Sequence, residues 1–154
     1  MKFSVSVIIP VYNGGRFIEK AINSALQQTE VYQVIVVNDG SSDETLEVVE
    51  QLQSRDSRIQ ICHHKNKENR GRSASRNLGI KNAAANYIAF LDADDFYLEN
   101  RFKNDNQIFE EHKEIDGVYN AIGVHFYRES NPTEQENLRL TTVTDIIESS
   151  ELFD

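Results

Sequence analysis

Apolar residues fall along this chain in two alternating rhythms. SVSVIIP, ending at Pro10, and VIVVN, from Val34 to Asn38, are near-continuously apolar and β-branched. Runs of that kind predict central strands covered on both faces. Between them, GGRFIEKAINSALQQT spaces Phe17, Ile18, Ala21, Ile22, Ala25 and Leu26 along one helical stripe. Strand, helix and strand in that order predict a right-handed crossover and a parallel pair.

The rhythm then repeats. Ser41 and Glu44 have the spacing of a capping box, and Leu46, Val49 and Leu52 follow as the apolar face of a second helix. RIQICHH predicts a third strand, RSASRNLGIKNAAAN a small-residue helix packed closely on a sheet, and YIAFL a fourth strand. YLENRFKNDNQIFEEHK reads as a polar helix with Leu98, Phe102 and Ile108 or Phe109 inward, and GVYNAIGVHFYRE as a long strand of period two. After a polar loop, Thr144 caps a last helix that the sequence barely begins. The fold class this predicts is α/β, a three-layer α/β/α arrangement on a mainly parallel central sheet.

Length and composition set bounds on this picture. The 154 residues are enough for one domain with a sizeable core and too few to expect two, so residues 1–154 are read as one unit. A formal net charge of −9 argues against binding nucleic acid through its phosphates, which requires clustered Lys and Arg. The lone cysteine, Cys62, has no disulfide partner and suggests a reducing compartment, the cytoplasm. No apolar run reaches the roughly 20 residues of a membrane span; a peripheral place at the inner face of a membrane is compatible with this.

Candidate chemistry gathers where the strands end. In an open α/β sheet, ligands bind outside the carboxyl ends of the strands, near the point where strand order reverses. Pro10-Val11-Tyr12-Asn13 follows the first strand, Asn38-Asp39-Gly40-Ser41 the second, and Asp92-Ala93-Asp94-Asp95 the fourth. No Gly-x-Gly-x-x-Gly follows strand one and no Gly-Lys-Ser/Thr is present, which disfavours a dinucleotide turn and a P-loop. Three acids within four residues repel one another unless a cation compensates them. Asp92, Asp94 and Asp95 are therefore candidates to hold Mn²⁺ or Mg²⁺, which would bridge to a nucleotide diphosphate.

Each feature also has a plainer reading. The acids are candidate helix caps, Asp39 is a candidate turn residue, and Tyr12 is a candidate for edge packing rather than stacking on a base. On the functional reading, Asp39 accepts the imide N–H of a uracil-like base. Arg76 is a candidate forked donor, while Arg70 and Arg72 read as a solvated basic loop. His63 and His64 are adjacent, point apart on an extended chain and make a poor zinc fragment.

Together, VSVIIPVYNGGRFIEKAINSALQQT, VIVVNDGSSDET, ENRGRSASRNLGI and YIAFLDADDFY resemble, in order and spacing, the N-terminal part of the family 2 inverting glycosyltransferases of GT-A fold. The resemblance runs from about Val5 to Phe102. It implies a Rossmann-like domain binding a nucleotide-diphosphate sugar, most often with UDP. On that basis Pro10, Tyr12, Asn13 and Asp39 hold base and ribose, and Arg76 approaches the nucleotide. Asp92 serves ribose and metal, Asp94 coordinates the metal and Asp95 supports it. Asn38 departs from a frequent Asp-Asp form of its turn.

The reaction implied is displacement at the anomeric carbon with inversion, assisted by Mn²⁺ or Mg²⁺, in polysaccharide or other glycan synthesis on a glycan or lipid-linked acceptor. It requires a general base, which in the family lies in the C-terminal part. After Phe126, Glu129, Glu134, Glu136, Asp145 and Glu148 stand in loop or cap settings, so the base is expected outside this chain. Two other readings compete. One is a sugar nucleotidyltransferase, which would want a Gly-rich basic loop after strand one; the other is a non-catalytic nucleotide-binding module.

Overall fold

The computed structural model describes residues 2–119. Four strands are β1 (Val5–Val11), β2 (Val31–Asn38), β3 (Ile59–His63) and β4 (Tyr87–Phe90). They form one sheet in the order β3-β2-β1-β4, with every pairing parallel. The strand order reverses at β1, because the chain first builds outward to β3 and then returns to the other side of β1. That places a topological switch point between the carboxyl ends of β1 and β4.

Helices α1 (Gly15–Leu26) and α2 (Thr45–Gln53) cover one face. Val5, Val7, Ile9 and Val11 of β1 meet Ile18, Ala21, Ile22 and Ala25 of α1 and Val49 of α2 there. On the other face Ile8, Ile35 and Val37 pack against Leu78 of α3 (Arg72–Asn82). Alternate residues of one strand thus serve opposite cores, which explains runs with few polar positions. The three-layer α/β/α arrangement predicted from those runs is present.

Helix α3 can lie close to the sheet because of Gly79. A Cβ there would stand 2.3 Å from Cγ2 of buried Ile8. On the same face a polar chain crosses the strands: Ser6 Oγ donates to Gln33 Oε1, which also accepts from Ala84 N, while Gln33 Nε2 donates to Gln60 Oε1. Ala85 N donates to Ser6 Oγ and closes the network. Every member has a partner, so the buried amide is accommodated.

Two local expectations are corrected. Helix α2 starts at Thr45, and Glu44 at its N-cap makes no side-chain capping bond, so the Ser41–Glu44 box does not form. Ser41 Oγ instead accepts from Asn13 N, a tertiary contact that takes the oxygen a cap would need. The helix expected from Tyr97 is confined to α4 (Asp105–Glu111), and Leu98, expected inward, is 74% exposed. Segment 97–101 is held in another way, by α1 and the turn after it: Tyr97 N donates to Ser24 Oγ, Gln28 Nε2 to Leu98 O, and Arg101 N to Gln28 Oε1. Phe102 is buried as expected.

The chain divides into compact units of residues 1–110 and 111–154, and the elements above belong to the first. In the second, His112 Nδ1 lies 3.2 Å from Glu114 Oε1. The strand expected over 117–129 lies almost wholly outside the described residues, and the last helix and the acids from Glu129 to Glu148 lie entirely outside them. Among the described residues no helix is long and apolar enough to cross a membrane.

Candidate functional site

The site is built on three loops that leave the carboxyl ends of neighbouring strands. The loop after β1 carries Tyr12 and Asn13, the latter at φ 51°. It is fastened to the loop after β2 by reciprocal bonds: Asn13 N donates to Ser41 Oγ, and Ser42 N to Asn13 Oδ1. Gly14 N donates to Thr45 Oγ1 and Gly15 N to Asp43 Oδ2. Asp43 also accepts from the backbone N–H and the hydroxyl of Thr45. Its carboxylate therefore serves the first turns of α1 and α2 together, where a negative charge is favoured. Burial pushes the Asp43 carboxyl up, but the hydrogen bonds from Thr45 and Gly15 outweigh it and hold the group below its ordinary value.

Asp39, buried at the end of β2, accepts from Arg70 N at 2.7 Å and Gly71 N at 2.8 Å. Those bonds shape the loop that starts α3. Gly40, next to it, has φ 78°, and a Cβ there would stand 2.9 Å from both Lys67 O and Asn69 N. A side chain would force the two loops apart.

At the end of β4, Asp92 is paired with Arg76, Nη2 to Oδ1 at 2.7 Å, and Arg72 Nη1 lies 3.7 Å from Oδ2. The crowding of acids is thus partly relieved by arginines of α3. Arg76 Nε is buried without a hydrogen-bond partner. Burial, then the charges of Asp94 and Asp92, push the Asp95 carboxyl up.

Between these loops lies an open cavity of about 390 Å³. Pro10, Tyr12, Asn13, Asp39, Asp92 and Asp94 all line it, so six of the eight residues singled out from sequence meet in one place. Arg76 reaches it through Asp92, and Asp95 does not line it. Tyr12 is 56% exposed at its edge, with its ring available to a planar ligand. Arg72, read from sequence as solvated, is exposed and also lines the cavity. Phe17 and Gly14 complete the α1 side.

Sequence reasoning missed His64. Its side chain is only 8% exposed, with Nε2 3.0 Å from Ser75 Oγ and 3.4 Å from Asp39 Oδ1. The signal that finds it is strand register: Asn38 of β2 pairs with His63 of β3, so their successors leave the sheet side by side.

Among the described residues no three His, Cys, Asp or Glu side chains converge as a ready metal site. Mg²⁺ and Mn²⁺ do not require one when a ligand phosphate is present, since one or two carboxylates with water and phosphate oxygens suffice. Asp94, which lines the cavity, fits that donor set; Asp95, next to it in sequence, does not line the cavity.

A parallel sheet of this order, with an open cavity and acids at its switch point, is a ligand-binding α/β arrangement. The protein-family model for glycosyl transferase family 2 matches residues 6–150. The chain is 35% identical over 151 residues to the uncharacterized glycosyltransferase EpsJ of Bacillus subtilis, covering 94% of this chain and 42% of that protein. An uncharacterized glycosyltransferase of Rickettsia bellii is 44% identical over 112 residues, 72% of this chain and 16% of that one. Among solved structures, residues 1–349 of S. aureus TarS in complex with UDP match with a TM-score of 0.62 at 30% identity, over 71% of this chain and 33% of that one. The same TarS segment has been solved with UDP-GlcNAc. The chain belongs to glycosyltransferase family 2. It spans less than half the length of these relatives.

Proposed function

We propose that this chain is the donor-binding part of an inverting glycosyltransferase that takes a UDP-sugar, with Mn²⁺ or Mg²⁺, and transfers the sugar to an acceptor hydroxyl. The observation that carries the reading is the meeting of Tyr12, Asp39, Asp92 and Asp94 in one cavity at the switch point. A relative solved with UDP, and again with UDP-GlcNAc, supports the choice of nucleotide.

In this reading Tyr12 stacks on the base and Asp39 accepts its imide N–H. Asp92, oriented by Arg76, meets the ribose, and Asn13 and Pro10 shape the wall beside it. Arg76 acts through Asp92, whose Oδ1 it holds at 2.7 Å at the cavity wall. Asp94 would hold the divalent ion and Asp95 support it; the ion supplies charge neutralisation for the departing diphosphate. The acceptor oxygen forms a bond to the anomeric carbon on the face opposite the diphosphate, whose C–O bond breaks. The hydroxyl proton passes to a base outside the described residues. Glycan or polysaccharide synthesis on the cytoplasmic side is the setting this chemistry fits, with a glycan or lipid-linked acceptor.

Calorimetric titration of UDP, with Mn²⁺ and with a chelator, tests the reading on the chain and on Asp94→Ala. Binding that needs the metal and is lost in the variant is the expected result. Metal-independent binding, or equal binding by the variant, would remove the ion from the site. Release of pyrophosphate from UTP and a sugar phosphate would favour a nucleotidyltransferase instead.

A further inference from the structure

Asp39 is one of the most heavily committed carboxylates in the molecule. Arg70 N and Gly71 N approach its two oxygens, and His64 Nε2 comes from a third direction, 3.4 Å from Oδ1. A carboxylate that binds N–H groups only accepts, so the contact with His64 is attractive only when Nε2 carries the proton. In that tautomer the same N–H also faces Ser75 Oγ at 3.0 Å. Ser75 is fully buried on α3, and its N–H donates to Gly71 O. One imidazole thus ties the end of β2, the exit of β3 and the first turn of α3 around the acid that lines the cavity.

We propose that His64 is a positioning residue for nucleobase selection: its Nε2–H, braced on Ser75, holds the Asp39 carboxylate in the orientation that accepts an imide N–H. The inference rests on the reading that Asp39 faces the base. Its chemical consequence is a preference for a uracil-like edge, which presents N3–H, over a cytosine edge, which presents a bare N3 lone pair. Without His64 the two backbone donors still hold both oxygens, but nothing braces Oδ1 from the third side, and discrimination between the bases would fall before diphosphate binding did.

The experiment measures affinities of the chain for UDP, CDP and inorganic pyrophosphate, all with Mn²⁺, for wild type, His64→Ala, His64→Gln and Ser75→Ala. His64→Ala is expected to weaken UDP binding by about three- to fivefold, since a polar contact of 3.4 Å is weaker than a full hydrogen bond. The UDP-to-CDP ratio shrinks with it and pyrophosphate affinity stays unchanged. His64→Gln, whose amide N–H₂ reaches the Nε2 position, restores the ratio, and Ser75→Ala lowers it in part. Equal losses for all three ligands, or no rescue by Gln, would reduce His64 to a packing role and overturn the proposal. A wild type that prefers UDP beside a His64→Ala variant with the same preference would overturn it while leaving the base reading of Asp39 intact. A wild type that binds UDP and CDP alike would overturn both. If His64→Ala does not fold, Gln and Ser75→Ala decide the outcome by the same ratio.

Discussion

Arg76 and Asp92, on α3 and at the end of β4, are joined by an ion pair of 2.7 Å across the mouth of the site. Their side chains are 35% and 34% exposed, so solvent screens the pair and its share of stability is under about 1 kcal/mol. Its value lies in direction: Arg76 holds one oxygen of Asp92 in place at the cavity wall.

Replacing Arg76 with Met should therefore separate binding from stability. UDP affinity with Mn²⁺ is expected to fall about tenfold or more, as for a lost charge-assisted hydrogen bond, with little change in melting temperature. Arg76→Lys should rescue only in part, since an ammonium does not place its charge and donor where the guanidinium Nη2 meets Asp92 Oδ1. Full affinity in Arg76→Lys would show that only charge matters there.

Asp43 predicts a pH effect. Its folded pKa lies below the ordinary 3.8, so its contribution to stability is complete above that value and is lost as pH falls through the lower folded one. Thermal melts taken from pH 6 down to pH 2 should show a steeper decline below 3.8 for wild type than for Asp43→Asn. At neutral pH the variant should cost about 1 kcal/mol, the loss of a shared helix cap. Parallel curves would show that the carboxylate charge is not what the clamp uses.

Gly79→Ala tests the closeness of α3 to the sheet. The added methyl meets a branched, fully buried Ile8 that has no room to give, and overpacking of this kind costs about 1–3 kcal/mol. A urea titration should move to a lower midpoint with the same slope. An unchanged midpoint would mean that α3 shifts outward freely.

Gln33→Leu should cost about 2 kcal/mol, although the position is buried in a strand rich in valine. The leucine leaves Ser6 Oγ and Ala84 N without the acceptor they share. A double substitution that also changes Ser6→Ala should cost less than the two single losses added together, because the partners belong to one network. Strict additivity in denaturant melts would contradict that network.

Near-continuous β-branched runs made the sheet legible, because a strand buried on both faces leaves few polar residues to blur its period. The three loops were legible for the same reason: parallel strands bring their carboxyl ends to one side whatever lies between them. What escaped depended on residues far apart in sequence. The Ser41–Glu44 spacing satisfied a local capping rule, yet Ser41 was claimed by Asn13 on another loop. Leu98 kept the spacing of a helix that tertiary contacts from Ser24 and Gln28 do not allow to start. His64 invited comparison with its neighbour His63, whereas its partners stand 25 residues before it and 11 after it.

Helix α1 is tied to other segments at both ends. At its start Gly14 and Gly15 are bound to the Asp43–Thr45 clamp behind Tyr12, and at its far end Ser24, with Gln28 just past the helix, holds the segment that follows the acids. Its length is therefore a gauge. One inserted residue would lengthen the helix by about 1.5 Å and rotate everything after it by about 100°, carrying Ser24 and Gln28 off the face they serve. The outward residues Arg16, Glu19, Lys20 and Asn23 tolerate exchange far better than the helix tolerates a change of count. For anyone reshaping this domain, α1 is open to substitution and closed to insertion or deletion.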